Sequence, residues 1–345
     1  MMTKRERVQA AIAHRNPDRV PKGELLIEPK LIERLLADQN TNGMSDLAKE
    51  IAVRELLGID LINIHEYPTR LIGYNAKGFP IYRGAYGEEF ADNGVGTQLL
   101  KPGIAEIEDV PDYQTPDISL CTTTRMDYFL AHSDLYVMTQ INGPVGALDW
   151  MLGMEDYCTY CMTDTELVAE LAGKVMDFEI ARARKFIDHG ADAILVADDI
   201  AFNMGLILPP HIMDVVAYPL YKRIIAEIKQ YKNVPVILHT DGNINAAMDQ
   251  IVACGFDGLQ SLQPSANMDI AAIKKKYGDK LCLMGNLDLN QLMPFGTPEE
   301  VAQETKRLIA ACNRDGGFIL STCNILTDMV PPANALAMYR TAEEV

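Results

Sequence analysis

Hydrophobic and polar positions along the chain follow two rhythms. Short apolar runs, suited to buried strands, end in polar clusters, and between them lie longer stretches whose apolar residues fall three to four apart. Eight runs read as strands: Lys22–Glu28, Asp60–His65, Tyr136–Asn142, Ala193–Asp199, Pro235–Asp241, Gly258–Gln263, Leu281–Asp288 and Gly317–Asn324. Segments such as DTELVAELAGKVMDFEIARARKFIDHG and TPEEVAQETKRLIAACNRDG carry the helical spacing. Each opens on Thr or Asp followed by acidic residues, a helix N-terminus signal. Gly-Ala-Asp, Gly-Phe-Asp or Gly-Asp-Lys then ends several helices directly before the next apolar run, as short αβ loops require. Strands alternating with helices in this way predict a parallel α/β fold, and eight of them predict a (β/α)8 TIM barrel.

The stretch from Tyr67 to Ser133 breaks the rhythm. Within it, IYRGAYGEEFADNGVGTQLLK alternates around a Gly/Asn/Asp turn, which predicts a β-hairpin in an insertion between the second and third strands, over one rim of the barrel. No fixed-period repeat, low-complexity tract or Pro/Ser linker interrupts the rest, so residues 1–345 are expected to form a single barrel domain.

A hydrophobic content of 48% allows a large core. The net charge of -17 argues against a nucleic-acid partner, because counterion release needs clustered Lys and Arg. No run is apolar enough for a membrane span, and the charged start MMTKRERVQAAIAHRNPDRVP lacks a signal-peptide core, so a cytoplasmic location is expected. Seven cysteines at irregular spacing read as reduced thiols rather than a disulfide framework.

In a parallel barrel all strand ends open on one face, where active sites sit. Closure would gather Glu28, His65, Glu66, Asn142, Asp198, Asp199, His239, Asp241, Gln263, Asn286, Asp288, Cys323 and Asn324 at one mouth, more polar groups than packing explains. Glu28, His65, Asn142 and Asn286 are candidate substrate contacts. Asp198 and Asp199 are paired acids that could ligate a metal, exchange protons or bind a cation. The competing reading makes one of them a helix cap and leaves the other in solvent. His239 and Asp241, two apart on a strand, project to the same side. A catalytic zinc takes three ligands from imidazole, carboxylate and thiolate and keeps a fourth position open, so His239, Cys323 and one carboxylate would make such a set. Against it stands the habit of buried cysteines to serve as inert packing. Cys158 and Cys161 form a Cys-x-x-Cys in a helix-like segment with no second pair, and they read as packing. His14, His132 and His189 fall away from the mouth.

RERVQAAIAHRNPDRVP, GADAILVADDIAFNMG, PPHIMDVVAYPLYKRI, HTDGN, KKKYGDKLCLMGNLD and GGFILSTCNILTDMVPPANALAMY together resemble the uroporphyrinogen decarboxylase family over nearly the whole chain. The resemblance implies a (β/α)8 barrel and one of two chemistries. Decarboxylases of the family carry a basic motif of Arg-Gln-Ala-Gly-Arg type after the first strand for the substrate's propionates. Here ELLIEPKLIERLL stands in its place, with Glu28 where arginines would be. The cobamide-dependent methyltransferase branch holds zinc with His-x-Cys on one strand and a distant Cys. His239 and Cys323 match the outer two positions, and Asp241 stands where the branch has its middle cysteine. Asp241, as ligand or as orienting group, makes the site harder and more Lewis-acidic, suited to an ether or alcohol oxygen. The expectation is therefore zinc-dependent transfer of a methyl group from a small methylated donor, such as a methoxylated compound, to a cobalamin-type corrinoid on a partner protein. Asp198 and Asp199 would serve catalysis by positioning the donor or relaying a proton to the leaving alkoxide, and Asp241 by ligating the zinc or orienting its ligands. Decarboxylation of uroporphyrinogen is the alternative.

Overall fold

The computed structural model describes residues 1–93 and 96–345. Seven of the expected strands form one parallel sheet: β1 (Leu61–Ile64), β2 (Tyr136–Asn142), β3 (Ala193–Ala197), β4 (Val236–Thr240), β5 (Gly258–Ser261), β6 (Cys282–Leu287) and β7 (Phe318–Thr322). Their spatial order is their chain order, each strand pairing in parallel with the next. The strands are buried on both faces, which is why they read as continuous apolar runs. Residues two apart share a face. Thus Tyr136 with Met138, Ala193 with Leu195, and Cys282 with Met284 join Leu25, Leu61, Ile237 and Ile319 in an inner cluster, separate from the larger core under the helices.

One end of the inner cluster is sealed by the helix Lys4–Ile12, which contributes Val8, Ala11 and Ile12. That helix starts on a capping box in which Thr3 and Glu6 satisfy each other's backbone N–H groups. The long amphipathic stretch after Asp164 forms the helix Thr165–His189 and stops at Gly190, whose φ of 108° is left-handed. The helix Pro298–Cys312 opens on a second capping box, Thr297 with Glu300.

The expected first strand, Lys22–Glu28, is not a regular strand. It makes isolated parallel bridges from Lys22 to Leu320 and from Ile27 to Leu326. The reason lies in its hydrogen bonds. Lys22 N donates to the Asp60 carboxylate at 2.9 Å instead of a main-chain carbonyl, while Lys22 O accepts from Asp60 N at 2.8 Å. The segment still links β7 to the residue before β1, because Gly23 N reaches Leu320 O at 2.8 Å.

Between β1 and β2 lies a four-stranded antiparallel sheet of Thr69–Tyr74, Pro80–Gly84, Glu89–Asp92 and Thr97–Lys101. The turn expected beyond Asn93 contains Gly94 and Val95, which lie outside the described residues. Phe90 of this sheet packs edge-on against Trp150, with centroids 5.6 Å apart, and so braces the helix Pro144–Leu152 that follows β2. Among the described residues, no helix is long and apolar enough to cross a membrane.

Candidate functional site

A cavity of about 1040 Å³ opens where β1 to β4 end. Asp198, Asp199, His239, Asp241 and Asn324 line one side, and Asn63, His65, Arg125, Gln140 and Asn142 the other. Val145, Trp150, Met154, Tyr157, Phe202 and Ile207 give it an apolar wall. The apolar inner cluster ends beneath these residues. Continuing the two-residue period upward from Met138 and Ile237 brings Gln140, Asn142, His239 and Asp241 inward.

Asp199, His239 and Asp241 place their ligand-type atoms within 4.8 Å of one another. His239 Nδ1 bonds Gln260 Oε1, and Gln260 is oriented by its own Nε2, which donates to Thr322 O at 3.5 Å. With Nδ1 engaged by Gln260, Nε2 is the ring nitrogen directed at Asp199 Oδ1, 3.8 Å away. Asp241 accepts from Ser261 Oγ at 2.5 Å and from Asn324 Nδ2. Burial raises the Asp241 pKa above the usual carboxylate range, His239 lowers it, and nearby Asp199 raises it further. Asp199 Oδ1 also accepts from Asp241 N at 2.8 Å, which holds the two acids together. Directly after Asp241, Gly242 has a φ of 82°, and a Cβ there would stand 2.3 Å from Ala201 O. Only glycine permits this close turn.

Cys323 does not join this cluster. Its backbone N–H extends the ladder to Leu287 O at 3.0 Å. Its thiol faces the Leu289 N–H, and burial pushes its pKa up to about 12. The strand β7 reaches the site through the next residue, Asn324. All seven cysteines are free thiols, and Cys158 and Cys161 lie on the helix Met154–Thr163.

The remaining expected residues divide. Asp198 faces the cavity but is 1% exposed and fully engaged: Gly146 N at 2.5 Å, Val145 N at 3.2 Å and the Tyr221 hydroxyl all donate to it. It thus holds the start of the helix Pro144–Leu152. Burial raises its pKa to about 6 against the lowering effect of those donors. A Cβ on Gly143 would lie 2.3 Å from Asp198 Cβ, so the close approach needs glycine there. Asn142 is half-buried and donates to the Tyr86 hydroxyl at 3.0 Å. His65 lines the cavity and is exposed to it. Desolvation by the protein packed around the ring, together with Arg182 and Arg125, depresses its pKa to about 4.

Glu28 does not line the cavity, because its carboxylate accepts from Asp328 N at 2.5 Å. Asn286 is 3% exposed, and its Nδ2 is held by Leu262 O. Asp288 accepts from the N–H groups of Asn290, Gln291 and Leu292, and Gln263 accepts from Gly242 N.

The expected set lacked Gln260, Ser261, Asn63, Gln140 and Tyr221. Gln260 pairs in register with His239 across β4 and β5, a relation invisible in a linear sequence. Strand parity, counted two residues back from Asn142 and His65, was the available signal for Gln140 and Asn63.

Parallel strands that feed a polar, partly acidic cavity at their C-terminal ends define an enzyme architecture. The chain belongs to the uroporphyrinogen decarboxylase (URO-D) family, which it matches over residues 91–345. It is 28% identical over 317 residues to the uroporphyrinogen decarboxylase of Chlorobaculum tepidum, covering 87% of this chain and 84% of that protein. It is 27% identical over 181 residues to the methylcobamide:CoM methyltransferase MtbA of Methanosarcina acetivorans, covering 52% of this chain and 50% of that protein. A methyltransferase from Methanosarcina mazei has the same fold, with a TM-score of 0.75 at 18% identity over 100% of this chain and 99% of that one.

Proposed function

We propose that this chain is a zinc-dependent methyltransferase that moves a methyl group from a small methylated donor to a corrinoid carried by a separate protein. The observation that carries the reading is the cluster of Asp199, His239 and Asp241 in the cavity wall. One imidazole and two carboxylates fit a divalent ion with an open fourth position, and Gln260 behind His239 is the kind of partner that orients a ligating histidine. Asp199 takes the place that the family branch would give Cys323. Bound there, zinc would supply Lewis acidity toward a donor oxygen.

The chain's own residues account for the rest. Ser261 and Asn324 fix Asp241, Asp199 is tied to the same turn, and Asp198 positions the cavity wall through Val145 and Gly146. His65 and Asn142 face the bound donor, whereas Glu28 and Asn286 brace the surrounding loops. In this reading the Lys22–Glu28 segment is the eighth stave of a (β/α)8 barrel, residues 1–345 form one domain, and the antiparallel sheet is its insertion.

Charge favours a neutral or cationic donor. The cavity lining includes Glu33, Asp46, Glu50, Asp149, Asp198, Asp199 and Asp241 against Lys49 and Arg125, and Arg125 is already held by Glu50 at 2.6 Å. A polycarboxylate would meet repulsion there. Uroporphyrinogen decarboxylation is the second reading, favoured by the 28% identity to a decarboxylase over 87% of the chain. The test incubates the protein with reduced cobamide, or a corrinoid protein, and a panel of methoxylated aromatics, methylated amines and methanol. Methylcobamide formation is expected. Coproporphyrinogen from uroporphyrinogen, with no methylcobamide from any donor, would overturn the proposal.

A further inference from the structure

The β1 and β2 side of the cavity carries polar groups that the metal-capable cluster leaves unused. Asn63 on β1 lines the cavity yet is only 6% exposed. Its Nδ2 donates to Gln140 Oε1 at 2.9 Å, and its Oδ1 is buried without a partner. Such an orphaned acceptor is costly until a donor arrives, and the cavity is the side from which one can come. Gln140, half-buried on β2, makes no other side-chain hydrogen bond among the described residues, so its Nε2 is a free donor. Turning both amides over exchanges the atoms but not the inventory: the pair still presents one donor and one acceptor.

His65, two residues beyond Asn63, has no hydrogen bond among the described residues. Desolvation and the nearby Arg182 and Arg125 lower its pKa to about 4, so the neutral ring also offers one donor and one acceptor. Arg125, a cation of the cavity lining, is paired with Glu50.

A carboxylate brings only acceptors and an ammonium only donors, so either leaves one member of the amide pair unmatched. A hydroxyl brings both. We infer that Asn63, His65 and Gln140 form a subsite for a substrate hydroxyl, apart from the atoms that react beside Asp199, His239 and Asp241. The methyl donor is then a neutral methyl ether that carries a free hydroxyl. The role of methyl donor rests on the proposed methyl transfer, but the hydroxyl preference does not.

Calorimetric titration of the whole protein with paired probes tests the subsite: methoxyphenols against methoxybenzene, and methoxyethanol against dimethoxyethane. At least one hydroxylated probe should bind about tenfold or more tightly than its partner. Asn63→Leu and Gln140→Leu should each bring that ratio to within about twofold, whereas His239→Ala should leave it intact. Gln140 is the less buried of the two, so its variant serves if Asn63→Leu fails to fold. Equal binding within each pair, no binding by any probe, or a preference that survives loss of either amide would overturn the inference. Methyl transfer without a hydroxyl preference sinks the subsite alone. A hydroxyl preference without methyl transfer sinks the enzymatic reading alone.

Discussion

The two sides of the cavity are built by neighbouring strands of one sheet, yet they present opposite chemistry. Where β3 and β4 end, Asp199, His239 and Asp241 converge, and each has a neighbour that fixes its orientation. Where β1 and β2 end, Asn63, His65 and Gln140 are uncharged and keep unused hydrogen-bonding capacity toward the cavity. One side suits a divalent cation and the other a neutral polar group. Both stand on the same apolar inner layer, so the difference comes from the last inward-facing residue or two of each strand rather than from the fold.

The sharpest way to break this division is His239→Ala. It removes the only nitrogen among the proposed ligands and should cost metal affinity more than about a hundredfold, the upper end of what losing a partner behind a ligand costs, while hydroxyl binding across the cavity is unchanged. Metal competition titrations beside probe titrations measure both. A smaller effect is expected from Gln260→Ala, which keeps every ligand but frees the imidazole ring. Metal affinity should fall by about ten- to a hundredfold, and unchanged affinity would mean that Gln260 does not orient His239.

A further prediction separates the acids of the cavity from one sealed outside it. Glu24 is fully buried, and burial raises its pKa to about 7 despite hydrogen bonds from Tyr339 and Thr322. Its folded pKa lies above its unfolded value, so its contribution is fully present below the unfolded pKa of 4.5 and is lost as pH rises to about 7. Urea unfolding should show stability falling by about 1.4 kcal/mol per pH unit across that window from this group. Glu24→Gln should reduce the slope by about that amount, leaving the part that belongs to Asp198 and Glu88, whose burial raises their pKa values to about 6 and about 7. A slope unchanged in the variant would mean that Glu24 does not contribute to it.

Much of this was legible in the chain. Tyr136–Asn142 forms a strand with the expected bounds, and the acidic start and glycine stop of Thr165–His189 marked that helix. The spacing of His239 and Asp241 predicted a shared face, and both reach the same cluster. What was not legible depends on partners distant in sequence. Lys22 loses a regular ladder to the Asp60 side chain, Cys323 is turned toward Leu289, and Asn324 takes its place beside Asp241. Gln260 matters through its register with His239, and Asn63 through a side-chain bond to Gln140, 77 residues away. Periodicity reports which face a residue occupies, but not which neighbour it meets there.

The most direct test is zinc content after stripping and reconstitution of the wild type, Asp199→Ala and Cys323→Ala, read by elemental analysis. The wild type should hold about one zinc per chain, Asp199→Ala should lose it and Cys323→Ala should keep it. A wild type without stoichiometric metal, or zinc that leaves with Cys323 and stays without Asp199, would contradict the account.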